Sequence, residues 1–242
     1  MRYTNIMAGK FLARPNRFIA HVEIAGREEI VHVKNTGRCK ELLLPGATVY
    51  VQYFPAGKRK TKYDLIAVEK VVQDGVGEQQ TLLINMDSQA PNKVVQEWLE
   101  REEPFGKMTY LKPECRHGAS RFDFYLETAT KKMFIEVKGV TLEENGVVLF
   151  PDAPTERGVK HVQELRHCLE QGYEAVVIFV VQMEGMRYFT PNRRTHAAFA
   201  EALERAEACG VKILALTCAV TPDSLTINGA IPVQLGAECA IL

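Results

Sequence analysis

A chain of 242 residues with 46% hydrophobic and 25% charged side chains is long enough for one large or two ordinary domains, and its composition is that of a soluble globular protein. Its 30 basic and 30 acidic side chains cancel, which speaks against an indiscriminate polyanion binder. No apolar run reaches the roughly 18 residues of a membrane span and no signal-peptide pattern opens the chain, so the cytoplasm is the expected location. The balance hides an uneven distribution: residues 1–86 hold 13 Lys and Arg against 8 Asp and Glu, which makes the first third the basic part. Cys39, Cys115, Cys168, Cys209, Cys218 and Cys239 are scattered without a CxxC pair, so reduced thiols are expected rather than a zinc site or disulfides.

In chain order, residues 17–85 read as five strands. Phe18–Ile24 is the first, Gly26 turns the chain, and Glu29–Val33 returns. Glu41–Leu44, closed by Pro45-Gly46, fits a turn of helix. Ala47–Phe54, Tyr63–Val72 and Gln80–Ile84 complete the set. Five short strands with one helical interruption predict a small β-barrel of the oligonucleotide-binding (OB) type over residues 1–86. Its cations, Arg14, Arg17, Lys34, Arg38, Lys40 and the Lys58-Arg59-Lys60 loop, are candidate nucleic-acid contacts, with a solvated Lys-rich surface as the competing reading. Tyr50, Tyr53, Phe54 and Tyr63 are either core residues or stacking platforms for bases.

The second part, residues 87–242, opens with a helix at Pro91, a position where a missing N–H does no harm. Val94, Val95, Trp98 and Leu99 form its apolar stripe, and Pro104 bounds its end. Glu97 borders that stripe as a supplementary candidate ligand. Met108–Arg116 reads as a strand, followed by a hairpin built from Ser120–Glu127 and Met133–Gly139. A loop-rich stretch over residues 143–154 leads to a helix capped by Thr155, with Gly158, Val162, Leu165 and Leu169 facing inward. Ala175–Val181 is continuously apolar, as a strand buried on both faces should be. A further helix over Thr195–Cys209 and a strand over Val211–Leu216 give a mixed sheet flanked by helices, so the fold class is a two-domain α/β (α+β) chain.

The hairpin carries the chemistry. Side chains alternate along a strand, so pairing Asp123 with Glu136 collects Phe122, Phe124, Leu126, Met133, Ile135 and Val137 on a core face. Asp123, Tyr125, Phe134, Glu136 and Lys138 then share the other. Two carboxylates about 5 Å apart at Cβ suit Mg2+ or Mn2+, hard cations that prefer oxygen ligands. The Val137 carbonyl is a candidate third ligand, and Lys138 points the same way, suited to hold an attacking water. A cation held so would neutralise charge growing on the phosphoryl oxygens and lower the pKa of the attacking water, as phosphodiester hydrolysis needs, although an ordinary salt-bridge cluster has the same residues. On the later helix lie Arg157, Lys160, His161 and Glu164. Arg157 or Lys160 near the N-terminus is placed to hold a phosphate beside the helix dipole. The polar face of an amphipathic helix is the competing reading, and the preferred one for Glu164 and His167.

Asn35-Thr36-Gly37-Arg38, Leu44-Pro45-Gly46, Ser120-Arg121-Phe122-Asp123-Phe124, Ile135–Leu142 and Phe150–Leu165 together resemble the sugar fermentation stimulation protein A family over nearly the whole chain. IEVKGVTL (residues 135–142) and FPDAPTERG (residues 150–158) are the most specific stretches. The resemblance implies an OB-like amino-terminal domain and a restriction-endonuclease-like PD-(D/E)xK carboxy-terminal domain, whose signature falls on Asp123, Glu136 and Lys138. It also implies DNA as the partner and a regulatory role in sugar (maltose) metabolism. Three functions stay open: a Mg2+- or Mn2+-dependent nuclease, a non-catalytic DNA-binding regulator on a nuclease scaffold, and a structural or adaptor protein. A homodimer is compatible with the sequence, and no residue decides it.

Overall fold

A computed structural model describes residues 1–35, 37–55, 59–73 and 79–236. The barrel begins earlier than its apolar pattern. β1 (Ile6–Asn16) is mostly exposed along its length, and it holds because it pairs on both sides. Its neighbours are β2 (Ile19–Ile24) and, after β3 (Arg27–His32), β4 (Thr48–Tyr53), both antiparallel to it. Gly9 permits the close approach, since a Cβ there would lie 2.6 Å from Val22 Cγ1 and 2.7 Å from the Glu23 carbonyl oxygen. β5 (Tyr63–Gln73) pairs antiparallel with β4 and parallel with β3 through Val31–Tyr63 and His32–Asp64. That closes a five-stranded ring of OB type. β6 (Gln79–Asn85) pairs with β5 and, among the described residues, continues the sheet outside the ring. The five expected strands are all present, as β2 to β6; β1 is an unexpected addition that completes the ring in place of β6, because two-sided backbone pairing rather than amphipathic alternation stabilises it. Leu43 N donates to the Cys39 carbonyl in the short turn after β3, which buries Leu42 and Leu43.

The second part builds its elements where helical and strand periods are strong. α1 (Ala90–Glu102) has Pro91 in its first turn and ends at Glu103 in a left-handed conformation. β7 (Met108–His117), β8 (Ser120–Thr128) and β9 (Lys132–Val140) run antiparallel. The stretch expected to be loop holds two short strands, β10 (Leu142–Glu144) and β11 (Val147–Phe150). α2 (Glu156–Glu170) is capped by Thr155, whose hydroxyl accepts the Gly158 N–H at 3.1 Å. β12 (Glu174–Val181) follows, then β13 (Tyr188–Pro191), which joins β11 in parallel. α3 (Arg193–Ala208), β14 (Lys212–Thr221) and β15 (Ser224–Ile231) complete the order. β10, β11 and β13 are too short to announce themselves by periodicity.

The main sheet runs β15-β14-β12-β9-β8-β7. β12 lies parallel to both β9 and β14, and Ala175–Val181 is 0–1% exposed, as its apolar run predicts. α1 covers one face, with Val94, Val95 and Leu99 against Phe124, Ile135, Val137 and Ile178. α2 and α3 cover the other, where Val162, Leu165, Phe199 and Leu203 meet Phe134, Val177 and Phe179 in a cluster continuous with the barrel core. Burying each large side chain of this kind stabilises by roughly 1.5–3 kcal/mol. Among the described residues no helix is long and apolar enough to cross a membrane. Cys39, Cys115, Cys168 and Cys218 are buried free thiols and Cys209 an exposed one; Cys239 lies outside the described residues.

Polar contacts fix the seam between barrel and sheet. Gln182, just past β12, donates its amide to the Asn85 backbone and side-chain oxygens, each at 3.0 Å, and to the Asp87 carbonyl at 3.2 Å. Gly139 is pressed against the same amide and Pro91, where a Cβ would approach to 2.6 and 2.7 Å. The end of β9 is thereby held at the start of α1. Lys70 of β5 pairs with the buried Glu143 of β10. Arg38 N donates to Asp152 Oδ2 at 3.2 Å, so the loop after β3 rests on the loop that leads into α2.

Candidate metal site at the fork of the β8–β9 hairpin

β8 and β9 pair as the alternation predicts, through Phe124–Ile135, Tyr125–Phe134 and Leu126–Met133. One step on, the ladder opens. Asp123 Oδ2 accepts the backbone N–H of Val137 at 2.7 Å, and Oδ1 accepts Asn92 Nδ2 from α1 at 2.8 Å. A side chain has taken the place of a main-chain acceptor, and β8 diverges from β9. Across β7, Glu114 takes φ of 51° between the Pro113–Phe124 and Cys115–Phe122 pairs, so the distortion reaches the neighbouring strand.

The divergence corrects two expectations. Phe122 does not share the face of Phe124 and Leu126; its ring lies 5.1 Å from Phe134 and 6.5 Å from His161 between centroids, on the α2 side. The face expected to be polar is covered as well. Phe134 packs against Tyr125 and Tyr173, and both Phe134 and Glu136 are 2% exposed.

Glu136 therefore sits in a dry setting with two polar partners, Lys138 and His161. Its Oε1 lies 2.5 Å from Lys138 Nζ and 2.5 Å from His161 Nδ1. Its Oε2 is buried and, among the described residues, has no hydrogen-bond partner. Arg157 Nε donates to His161 Nε2 at 3.3 Å, which assigns the imidazole proton to Nδ1 and makes His161 a donor to Glu136. Burial raises the Asp123 carboxyl above the usual aspartate range, and the Glu136 charge adds to the rise against the Val137 and Asn92 hydrogen bonds. For Glu136, burial pushes upward, but the His161 and Lys138 hydrogen bonds and the Lys138 charge outweigh it, so its pKa falls below the ordinary value. The two acids are driven apart, as in sites that give paired carboxyls different work.

Among the described residues no group of three or more His, Cys, Asp or Glu forms a ready cage for a metal. Mg2+ does not need one, since it commonly uses one or two carboxylates and keeps several waters. A buried acceptor left unmet costs about 1–3 kcal/mol, and more when charged. Glu136 Oε2, on a carboxylate whose charge reaches Asp123, is an acceptor with room for a cation. Val137, suggested through its carbonyl, meets Asp123 through its N–H.

The remaining candidates divide by what they touch. Lys34 is bonded to two buried carboxylates, Asp64 and Asp87. Arg14 uses its guanidinium on the carbonyls of Arg17, Asn35, Gly37 and Arg38. Arg59 pairs with Asp64 and lies 4.0 Å over the Phe54 ring. Arg14 and Arg59 act within the barrel, and Lys34 ties the barrel to the segment before α1. Of the aromatic candidates, Tyr53 and Tyr63 pair with each other, and Tyr50 donates to Glu69. Arg17, Arg38, Lys60, Arg157 and Lys160 are exposed; Lys58 lies outside the described residues. Arg14, Arg17, Arg38 and Lys40 rim a groove of 570 Å³ floored by Phe11 and Leu43. Glu97 is turned away from the hairpin and binds the Met1 ammonium at 2.6 Å. Asn92 and His161 are the site residues that sequence reasoning underrated. His161 falls in the inward stripe of Gly158, Val162 and Leu165, and a polar residue in such a stripe is the signal that finds it.

An OB barrel joined to a mixed-sheet domain with Asp, Glu and Lys at a hairpin fork defines a restriction-endonuclease-like scaffold with an OB partner domain. Family models match both parts: "SfsA N-terminal OB domain" over residues 12–76 and "Sugar fermentation stimulation protein RE domain" over residues 89–224. The chain belongs to the sugar fermentation stimulation protein family. It is 58% identical over 235 residues to a sugar fermentation stimulation protein homolog of Desulfitobacterium hafniense, covering 97% of this chain and 99% of that one. With the Clostridium beijerinckii homolog it shares 55% over 235 residues, 97% of this chain and 100% of the other. Among solved structures it is similar to SfsA of Pyrococcus furiosus in complex with Ca2+, with TM-score 0.83, 28% identity, and coverage of 97% and 98% of the two chains.

Proposed function

We propose that this chain binds DNA and hydrolyses phosphodiester bonds at Asp123, Glu136 and Lys138 with Mg2+ or Mn2+, acting in the cytoplasm in the regulation of sugar (maltose) use. The observation that carries the reading is the buried, unmatched Oε2 of Glu136 beside a second carboxylate. A relative solved with Ca2+ supports a divalent cation. Bound there, the cation supplies charge neutralisation at the phosphoryl oxygens and acidifies an attacking water. Asp123 and Glu136 hold it. Lys138, 17% exposed at its side chain, orients the water and stabilises charge that grows in the transition state. Arg17, Arg38, Lys60, Arg157 and Lys160 hold phosphates, the first two at the rim of the barrel groove. The contact between Arg38 and Asp152 makes that rim continuous with the loop into α2, so one strand has a path from the barrel to the fork.

One observation favours a second reading. The Lys138 ammonium is bonded to Glu136 rather than free, as it would be in a non-catalytic DNA-binding regulator that kept the scaffold. Cleavage assays on single- and double-stranded DNA with Mg2+ or Mn2+, comparing wild type with Glu136→Ala and Lys138→Ala, separate the two. Metal-dependent cleavage that falls about 100-fold or more in both variants is the expected result. Salt-sensitive binding without cleavage by any of the three proteins would leave the regulator.

A further inference from the structure

Glu136 has two oxygens in unlike circumstances, and the cause of the difference lies on α2. Among the described residues Oε1 receives both donors, Lys138 Nζ and His161 Nδ1, and Oε2 receives none. A carboxylate on a strand turns freely about its last torsion unless something fixes it. Lys138 sits on a flexible stem and does not fix it alone. His161 does, because the ring is 7% exposed and packs beside Phe122. Its far nitrogen is engaged by Arg157, one helical turn earlier. The order of bonds is Arg157 Nε to His161 Nε2, then His161 Nδ1 to Glu136 Oε1.

We propose that His161, oriented by Arg157, is a positioning residue that locks the Glu136 carboxylate so that Oε2 alone is presented to a divalent cation. The inference rests on the reading of Glu136 as a metal ligand and adds what holds that ligand. It resembles in logic the outer partners that orient ligating side chains in metal sites, whose loss weakens metal affinity about 10–100-fold. Arg157 then has a role besides phosphate contact: it selects the imidazole tautomer that donates towards the acid.

The test is isothermal titration of Mn2+ into the full-length protein. His161→Leu keeps bulk but removes both ring nitrogens, and His161→Asn keeps a donor near the Nδ1 position. Affinity should fall about 10-fold or more in His161→Leu, recover to within about 3-fold of wild type in His161→Asn, and fall by an intermediate factor in Arg157→Leu, whose exposed site tolerates the change. A purely structural His161 would move the melting temperature without this order of affinities. If His161→Leu does not fold, Arg157→Leu decides: wild-type affinity there overturns the proposal. Wild-type affinity in His161→Leu also overturns it while leaving the metal site standing, provided Glu136→Ala abolishes binding. Wild-type protein that takes up no Mn2+, or Glu136→Ala that binds it unchanged, overturns the metal reading and the positioning role together.

Discussion

At the seam between barrel and sheet, Asp64 and Asp87 are 2% and 1% exposed and share the Lys34 ammonium at 3.4 and 2.9 Å. At the hairpin fork, Glu136 is equally buried beside Asp123 and has its own lysine, Lys138, at 2.5 Å. In residue types the two clusters are nearly the same, two acids and a lysine. They differ in satisfaction. Asp64 Oδ1 meets Arg59 and His32, its Oδ2 meets Lys34, and Asp87 uses one oxygen on Lys34 and the other on the Gln89 N–H. Every Asp64 and Asp87 carboxylate oxygen has a partner, whereas Glu136 Oε2 has none among the described residues. A buried polar cluster with nothing left over rigidifies a fold, and one with an unmet acceptor has room for a ligand.

The largest effect is expected at the seam. Lys34→Met leaves two carboxylates buried without their common cation, and unfolding in urea should show a loss of about 3–5 kcal/mol. A loss below about 1 kcal/mol would mean that the seam does not depend on this pairing, and the comparison would break there. Asp123→Asn should act in the opposite sense. The folded pKa of Asp123 is raised by burial and by Glu136, so its contribution to stability is fully present below the unfolded value and is lost as pH rises through the folded one. Removing the charge should raise the melting temperature of the metal-free protein near neutral pH. That advantage should shrink on acidification, and Mn2+ binding should be lost. A melting temperature that drops would place Asp123 with the structural acids. The smallest effects belong to the exposed cations. Arg17→Ala and Arg38→Ala should each lower the slope of log K against log salt by about 0.7–0.9 for one phosphate contact. An unchanged slope in both would remove the barrel groove from the DNA path.

Much of this was legible because local periods were strong. Phe124, Leu126, Met133 and Ile135 alternate against their partners, so the hairpin register follows from them, and the apolar run of β12 follows from burial on both faces. The break at Asp123 was not legible, because there a side chain replaces a main-chain acceptor and the alternation that would place Phe122 no longer applies. β1 was missed for a related reason: its stability comes from pairing on both edges and from the fit of Gly9 against Val22, not from an apolar face. Lys34 looked like a phosphate contact because its partner Asp87 lies 53 residues away, beyond the reach of any local pattern. The acids and lysine of the fork were legible by type and spacing, but the distinction between a filled and an unfilled carboxylate exists only in three dimensions.

Where a cation goes is the most direct test of the contrast between fork and seam. Crystals of the full-length protein soaked in Mn2+ should give an anomalous difference peak about 2.0–2.3 Å from Glu136 Oε2 and an Asp123 oxygen, with no peak between Asp64 and Asp87. A peak at the seam, or none at the fork under saturating Mn2+, would contradict it.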